Sequence, residues 1–412
     1  MKTVFLQGTR GKHVFFPVLL CLMLSNCIRP FYPDLEKYQS LLIVDARLTD
    51  EEDVPACVRL SRTSDMPDEK PRMVEGAIVT MTDNLGNSTS FTEVSDGVYK
   101  TDSTSFTGIP GREYSLRIIT PDGKEYASDP CSLARGRKID NVYFEKASRT
   151  LDNGEFQEGI MIFADALEST ENKCFRWSYE EWWKFTVPYP VTHMFIDEHN
   201  VVKVPVENET CYARRKPELP EIESVNPDLN SETGRKPVLF IASANSDRLL
   251  LRYSIEVSLF TISDEEYEFW RLVKEINTSG GDIFDRQPFP VMTNIYCAND
   301  AEEKVLGYFQ VCGASRKRIY ITPGEIEPLG LPEFEYGCVL TKKGPQDYLS
   351  EQPPSFDFIY RSFTAMGYNF IYPDYLIEAF QILDRLVFAT KECSDCSVNG
   401  ASVPPYFWID SE

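Results

Sequence analysis

Few side chains in this 412-residue sequence have the type and spacing to do chemistry. Cys393-Ser394-Asp395-Cys396 is a C-x-x-C motif, a pattern that serves thiol–disulfide exchange or zinc binding when its context is right. Exchange wants the pair at a helix start after a strand, and this pair follows a long apolar stretch near the carboxyl terminus. Zinc wants four ligands, and past His13 the only histidines are His193 and His199, far upstream. The expected role is structural: one or both cysteines staple the tail to the body. Cys211 is counted with Cys393 and Cys396 as a candidate structural cysteine. A Ser-His-Asp relay could run only through His193 or His199, and neither sits in a local signature. H-E-x-x-H, G-x-S-x-G, Walker A, G-x-G-x-x-G and calcium-loop patterns are missing. The acidic clusters Glu51-Glu52-Asp53 and Asp264-Glu265-Glu266 read as solvated charge. The expectation is therefore no enzyme, no metal and no cofactor, with a hydrolase on glycans or peptides kept as an alternative.

The segment Phe175-Arg176-Trp177-Ser178-Tyr179-Glu180-Glu181-Trp182-Trp183-Lys184-Phe185 is unusually aromatic. As a strand it puts Phe175, Trp177 and Tyr179 on one face, which fits an ordinary sheet core. Trp182 and Trp183 then point to opposite faces, which makes one of them a candidate exposed aromatic for a partner or ligand.

Charge and leader bound the setting. Lys plus Arg number 42 against 64 Asp plus Glu, a formal charge of -22. Such a surface repels nucleic acid, so no nucleic-acid partner is expected. Lys2, Arg10 and Lys12 precede an apolar run from Val14 to Leu24, too short to span a bilayer and suited to a secretory leader. Leu24-Ser25-Asn26-Cys27 resembles a bacterial lipobox, with Cys27 as the lipidation site. Residues 1–26 are thus expected to be a lipoprotein signal peptide and 27–40 a tether. Of 11 cysteines, Cys21 lies in the leader and Cys27 would be acylated, leaving an odd number for an oxidising compartment.

The elements that must position these residues are mainly β. Short alternating runs between turns over 41–138 (Val79 and Met81; Tyr114, Leu116 and Ile118) predict an immunoglobulin-like sandwich, in which Cys57 and Cys131 could meet. Residues 139–412 are expected to form a larger β-rich domain with at least one helix. Leu251, Tyr253, Ile255, Val257 and Leu259 predict its clearest strand. Ser263 and Glu266 match a capping box, and Phe269, Leu272, Val273 and Ile276 share one helical face. Separate strands are expected over Val305–Cys312 and Arg318–Thr322, while Tyr375–Ala389 fits either helix or strand.

In this order, several short stretches resemble one family across nearly the whole chain. They include Leu24 to Cys27, Pro30-Phe31-Tyr32-Pro33, Leu42-Ile43-Val44-Asp45 and Val58-Arg59-Leu60-Ser61-Arg62-Thr63. Others are Arg176-Trp177, Cys211-Tyr212, Leu306-Gly307-Tyr308-Phe309, Cys393 to Cys396 and Phe407-Trp408. The family is a group of Bacteroidota outer-membrane lipoproteins catalogued as domain of unknown function 4249. It has no established catalytic residues. The resemblance implies a lipid-anchored outer-membrane protein, at the cell surface, that assists a TonB-dependent transporter or holds its ligand. A structural or assembly subunit of the outer membrane is the alternative.

Overall fold

Alternation of apolar and polar side chains builds the first layers. In the computed structural model, β1 (Leu42–Thr49) buries Leu42, Val44, Ala46 and Leu48, and antiparallel β2 (Cys57–Arg62) buries Val58 and Leu60. Facing them, β3 (Ile78–Asp83), β4 (Glu113–Ile119) and β5 (Glu125–Ser128) form a second, antiparallel sheet. Its inward residues Val79, Met81, Tyr114, Leu116, Ile118 and Tyr126 join those of β1 and β2 in one core. Two sheets over a shared core make a β-sandwich. The structure describes residues 40–409 except 65–70, 103–105, 167–173, 218, 225–234, 279–292 and 378–381. Cys27 and the leader lie outside the described residues, as do Gly280 and Gly281. Apart from Ser40 and Ser64, everything described belongs to one unit.

The sandwich recruits strands from far along the chain. Past it run β6 (Ile139–Thr150), β7 (Phe156–Ala166), β8 (Cys174–Thr186) and the hairpin of β9 (His193–Asp197) with β10 (Asn200–Lys203). Next come β11 (Thr210–Arg215), β12 (Arg235–Ala242), β13 (Arg252–Ile262), helix α1 (Asp264–Thr278) and β14 (Val305–Ile321). β14 is the spine. Its first half pairs parallel with β1, Leu42 opposite Val305, and its second half pairs antiparallel with β13, Tyr253 opposite Ile321. One sheet therefore runs β11-β8-β13-β14-β1-β2. Ile295–Cys297 extends the other sheet beside β5.

This spine corrects the expectation of two strands over residues 305–322. Gly313 does not end a strand. A Cβ there would strike the backbone of Gly136, so glycine serves a close approach of two chains. Cys57 and Cys131 do not pair either; both are free, on different sheets. Helix α1 starts on Ser263, whose Oγ accepts from the Glu266 N–H at 3.1 Å. The Glu266 carboxylate leaves the capping-box geometry and turns inward, accepting from Trp270 Nε1 at 3.2 Å and facing Arg176 at 3.5 Å. Phe269 is the buried apolar anchor, 4.7 Å from the Tyr308 ring.

The carboxyl-terminal module has its own core. Helix α2 (Phe356–Ala365) packs on the antiparallel pair β15 (Tyr368–Ile377) and β16 (Ile382–Thr390), so the described parts of the stretch from Tyr375 to Ala389 are strand. Ile359, Phe370, Leu386 and Phe388 meet Phe195 of β9 there. The β9–β10 hairpin is thus packed on this module.

Candidate functional site

The two cysteines of C-x-x-C take different partners. Cys396 is bonded to Cys211 of β11, and Cys393 to Cys338. Cys211 and Cys396 are both fully buried, in a small core with Phe185, Val187 and Ala213. β8 puts them there, because Phe185 stands opposite Cys211 in the ladder. Sulfurs spent on separate disulfides form no dithiol pair and offer no thiolate ligands. What the double staple does is fix the two residues between them.

Ser394 and Asp395 form one wall of a cleft of about 490 Å³. The hairpin and its following loop give the opposite wall, with His193, Met194, Glu207 and Asn208, and the floor is aromatic. Phe195 and Tyr360 lie 4.9 Å apart, and Phe370 meets Phe195 edge-on at 6.1 Å. The walls are tied together: the Cys396 N–H donates to the Asn208 carbonyl at 2.9 Å. Asn208 holds φ at 50°, the left-handed region that asparagine tolerates better than most residues.

Hydrogen bonds decide what each polar group can still do. Buried Ser394 donates to the Thr390 carbonyl at 2.8 Å and accepts from Asn369 Nδ2 at 3.1 Å. Asp395 Oδ1 accepts from the Ser397 N–H and hydroxyl at 3.0 and 2.6 Å. Thr192 Oγ1 lies within hydrogen-bond reach of the Ile371 carbonyl and 2.9 Å from His193 Nδ1. Which His193 ring nitrogen donates is set by the tautomer, since the Thr192 hydroxyl can give its proton to the Ile371 carbonyl or to Nδ1. Burial, helped by the charge of Lys203, holds the His193 pKa below its ordinary value, favouring the neutral ring. Ser394 and His193 share a cleft without forming a nucleophile–base pair, since the serine proton goes to a main-chain carbonyl.

Trp182 and Trp183 do point to opposite faces of β8, and neither is an exposed ring. Trp183 donates to Asp247 at 3.1 Å and lies under the Arg248 guanidinium. Trp182 donates to Glu180 at 3.0 Å and takes the edge of Phe407 at 5.8 Å. The tail covers this side: Trp408 meets the Tyr212 ring at 5.1 Å, and Tyr320 donates to the Phe407 carbonyl at 2.6 Å. The aromatic stretch supports the sheet that carries Cys211 and does not line the cleft.

The cleft residues have no shared sequence signature. Ser394 and Asp395 are reachable from the sequence through the cysteines around them and His193 through its residue type, and nothing in the sequence points to the other lining residues. A family model described as Domain of unknown function (DUF4249) matches residues 28–318, which include the hairpin wall of the cleft and stop short of the module that carries the other. No curated protein matches the chain.

Proposed function

Since the chain belongs to the family described as Domain of unknown function (DUF4249), whose description assigns no activity, we propose its role from the site: an exported, envelope-anchored binding protein. The observation that carries this is the cleft whose wall is pinned by Cys211–Cys396 and Cys338–Cys393. Disulfides persist in oxidising compartments outside the cytoplasm. The leader and Cys27 supply the matching export and anchoring signals, with Cys27 acylated in the outer membrane of a Bacteroidota cell and the body facing outward. An aromatic-floored pocket with a few fixed polar groups suits a small ligand. In this role the protein passes or presents that ligand to a TonB-dependent transporter. A serine relay through Ser394 and His193 is not favoured, because the Ser394 hydroxyl donates to the Thr390 carbonyl.

Crosslinking in intact cells followed by affinity isolation tests the partnership. A TonB-dependent barrel is expected at near-stoichiometric yield, together with palmitate label that disappears in Cys27→Ala. Isolation dominated by assembly machinery, or label that persists in the variant, would overturn the reading.

A further inference from the structure

The cleft also says what kind of ligand it takes, a step that rests on the binding role proposed above. Its uncommitted polar atoms lean strongly toward accepting. Asp395 spends Oδ1 on Ser397, and among the described residues Oδ2 has no bond. Glu207 is exposed at the rim with no ion pair among the described residues. Asn369 commits one amide N–H to Ser394 and keeps its other N–H and its Oδ1. His193 adds a ring held toward its neutral form by burial, which brings no fixed positive charge to the wall. The Tyr360 hydroxyl and the Asn208 amide can act either way.

Charge points the same direction. Among the described residues no lysine or arginine lines the cleft; Lys203 stands cross-strand from His193 on the hairpin but outside the lining. Two carboxylates and the negative ring faces of an aromatic floor favour a positive guest and disfavour a negative one. We infer that the cleft binds a small organic cation, a primary ammonium or guanidinium group on an apolar or aromatic body. The head donates to Asp395 Oδ2 and Glu207, while the body lies over Phe195, Tyr360 and Phe370.

Three matched probes separate the possibilities on the full chain by calorimetric titration: phenethylamine, 2-phenylethanol and phenylacetate. Phenethylamine is expected to bind at least about tenfold more tightly than the alcohol, the ratio a charge-assisted hydrogen bond supplies, and phenylacetate not detectably. Asp395→Asn keeps the acceptor that caps Ser397, and Glu207→Gln alters only the rim. Each is expected to weaken the amine by about three- to tenfold with an unchanged unfolding midpoint. Equal or tighter binding of the alcohol or the acid, an amine affinity indifferent to both variants, or no binding of any probe overturns the cation assignment. None of these touches the co-isolation of a barrel, and loss of the barrel with amine binding intact would sink the partnership alone.

Discussion

The sheet around β13 and β14 and the carboxyl-terminal module solve the same problem differently. The sheet buries long apolar rows, including Tyr253, Ile255, Val257 and Leu259, and even takes a charge pair inside. Its cysteines Cys174 and Cys312 are buried, Cys174 beside the Asp264 carboxylate at 3.1 Å, and burial pushes the Cys312 thiol up to about 12, which keeps it unreactive. The module has a small core and much exposed apolar surface, including Leu349, Phe358, Met366 and Leu376. Both disulfides found in the described residues reach it. A small core cannot offset the entropy of its own ordering, so the chain cross-links it. The cleft lies on the cross-linked side. Its geometry is held by covalent bonds, where the sheet is held by burial.

The sharpest way to break this contrast is to remove the longer staple. Cys211→Ala with Cys396→Ala opens a link between residues 185 apart in sequence and is expected to cost about 4–5 kcal/mol by chain entropy. Hydrogen exchange should rise in residues 338–398 and leave β13 and β14 protected. Cys312→Ala is the control, expected to cost only about 1 kcal/mol. If the control costs as much as the double variant, or protection falls first in β13, the contrast is wrong.

The sheet's side is sharpened at Arg176. Its guanidinium faces Glu266, donates to Gln310 at 3.0 Å and stacks over Phe260 at 4.2 Å, all out of water. Arg176→Met strands a buried carboxylate and is expected to cost about 3–5 kcal/mol in chemical denaturation. Arg176→Met with Glu266→Leu removes both charges and should recover most of that loss. A double variant as weak as the single would mean the pair itself holds the sheet together, and apolar burial does not.

What could be read in advance was local. Alternation at Val79 and Met81, at Tyr114, Leu116 and Ile118, and from Tyr253 to Leu259 marks strands because a pleat has period two. Ser263 marks a helix start because its hydroxyl caps one N–H. The parallel pairing of β1 with β14 joins residues more than 260 apart, and nothing near Leu42 announces Val305. The single strand over Val305–Ile321 reads as two, because nothing local shows that Gly313 serves a close approach to Gly136. The cleft was least legible of all. His193 and Ser394 become neighbours only through the hairpin packing of Phe195 and the disulfides. C-x-x-C was legible as a staple of the tail to the body, but its spacing does not name the partners, which are the distant Cys338 and Cys211.

The smallest expected effect lies in a turn of the sandwich, where hydrogen bonds and not staples or bulk burial hold the chain. Asp83 accepts from Asn87 Nδ2 and the Asn87 N–H, both at 2.8 Å, from the Leu85 N–H at 3.0 Å and from Arg112 at 2.6 Å. The Asn87 side chain leads in holding its pKa down to about 2, against an ordinary 3.8. A carboxylate with a depressed folded pKa stabilises fully above its unfolded value and loses that contribution as pH falls through the folded one. Wild type and Asp83→Asn should therefore differ in stability at neutral pH and converge between about pH 4 and pH 2. Carboxyl-carbon NMR that places the Asp83 midpoint near 4, or curves for the two proteins that stay parallel down to pH 2, would remove the turn from the list of things that hold the sandwich.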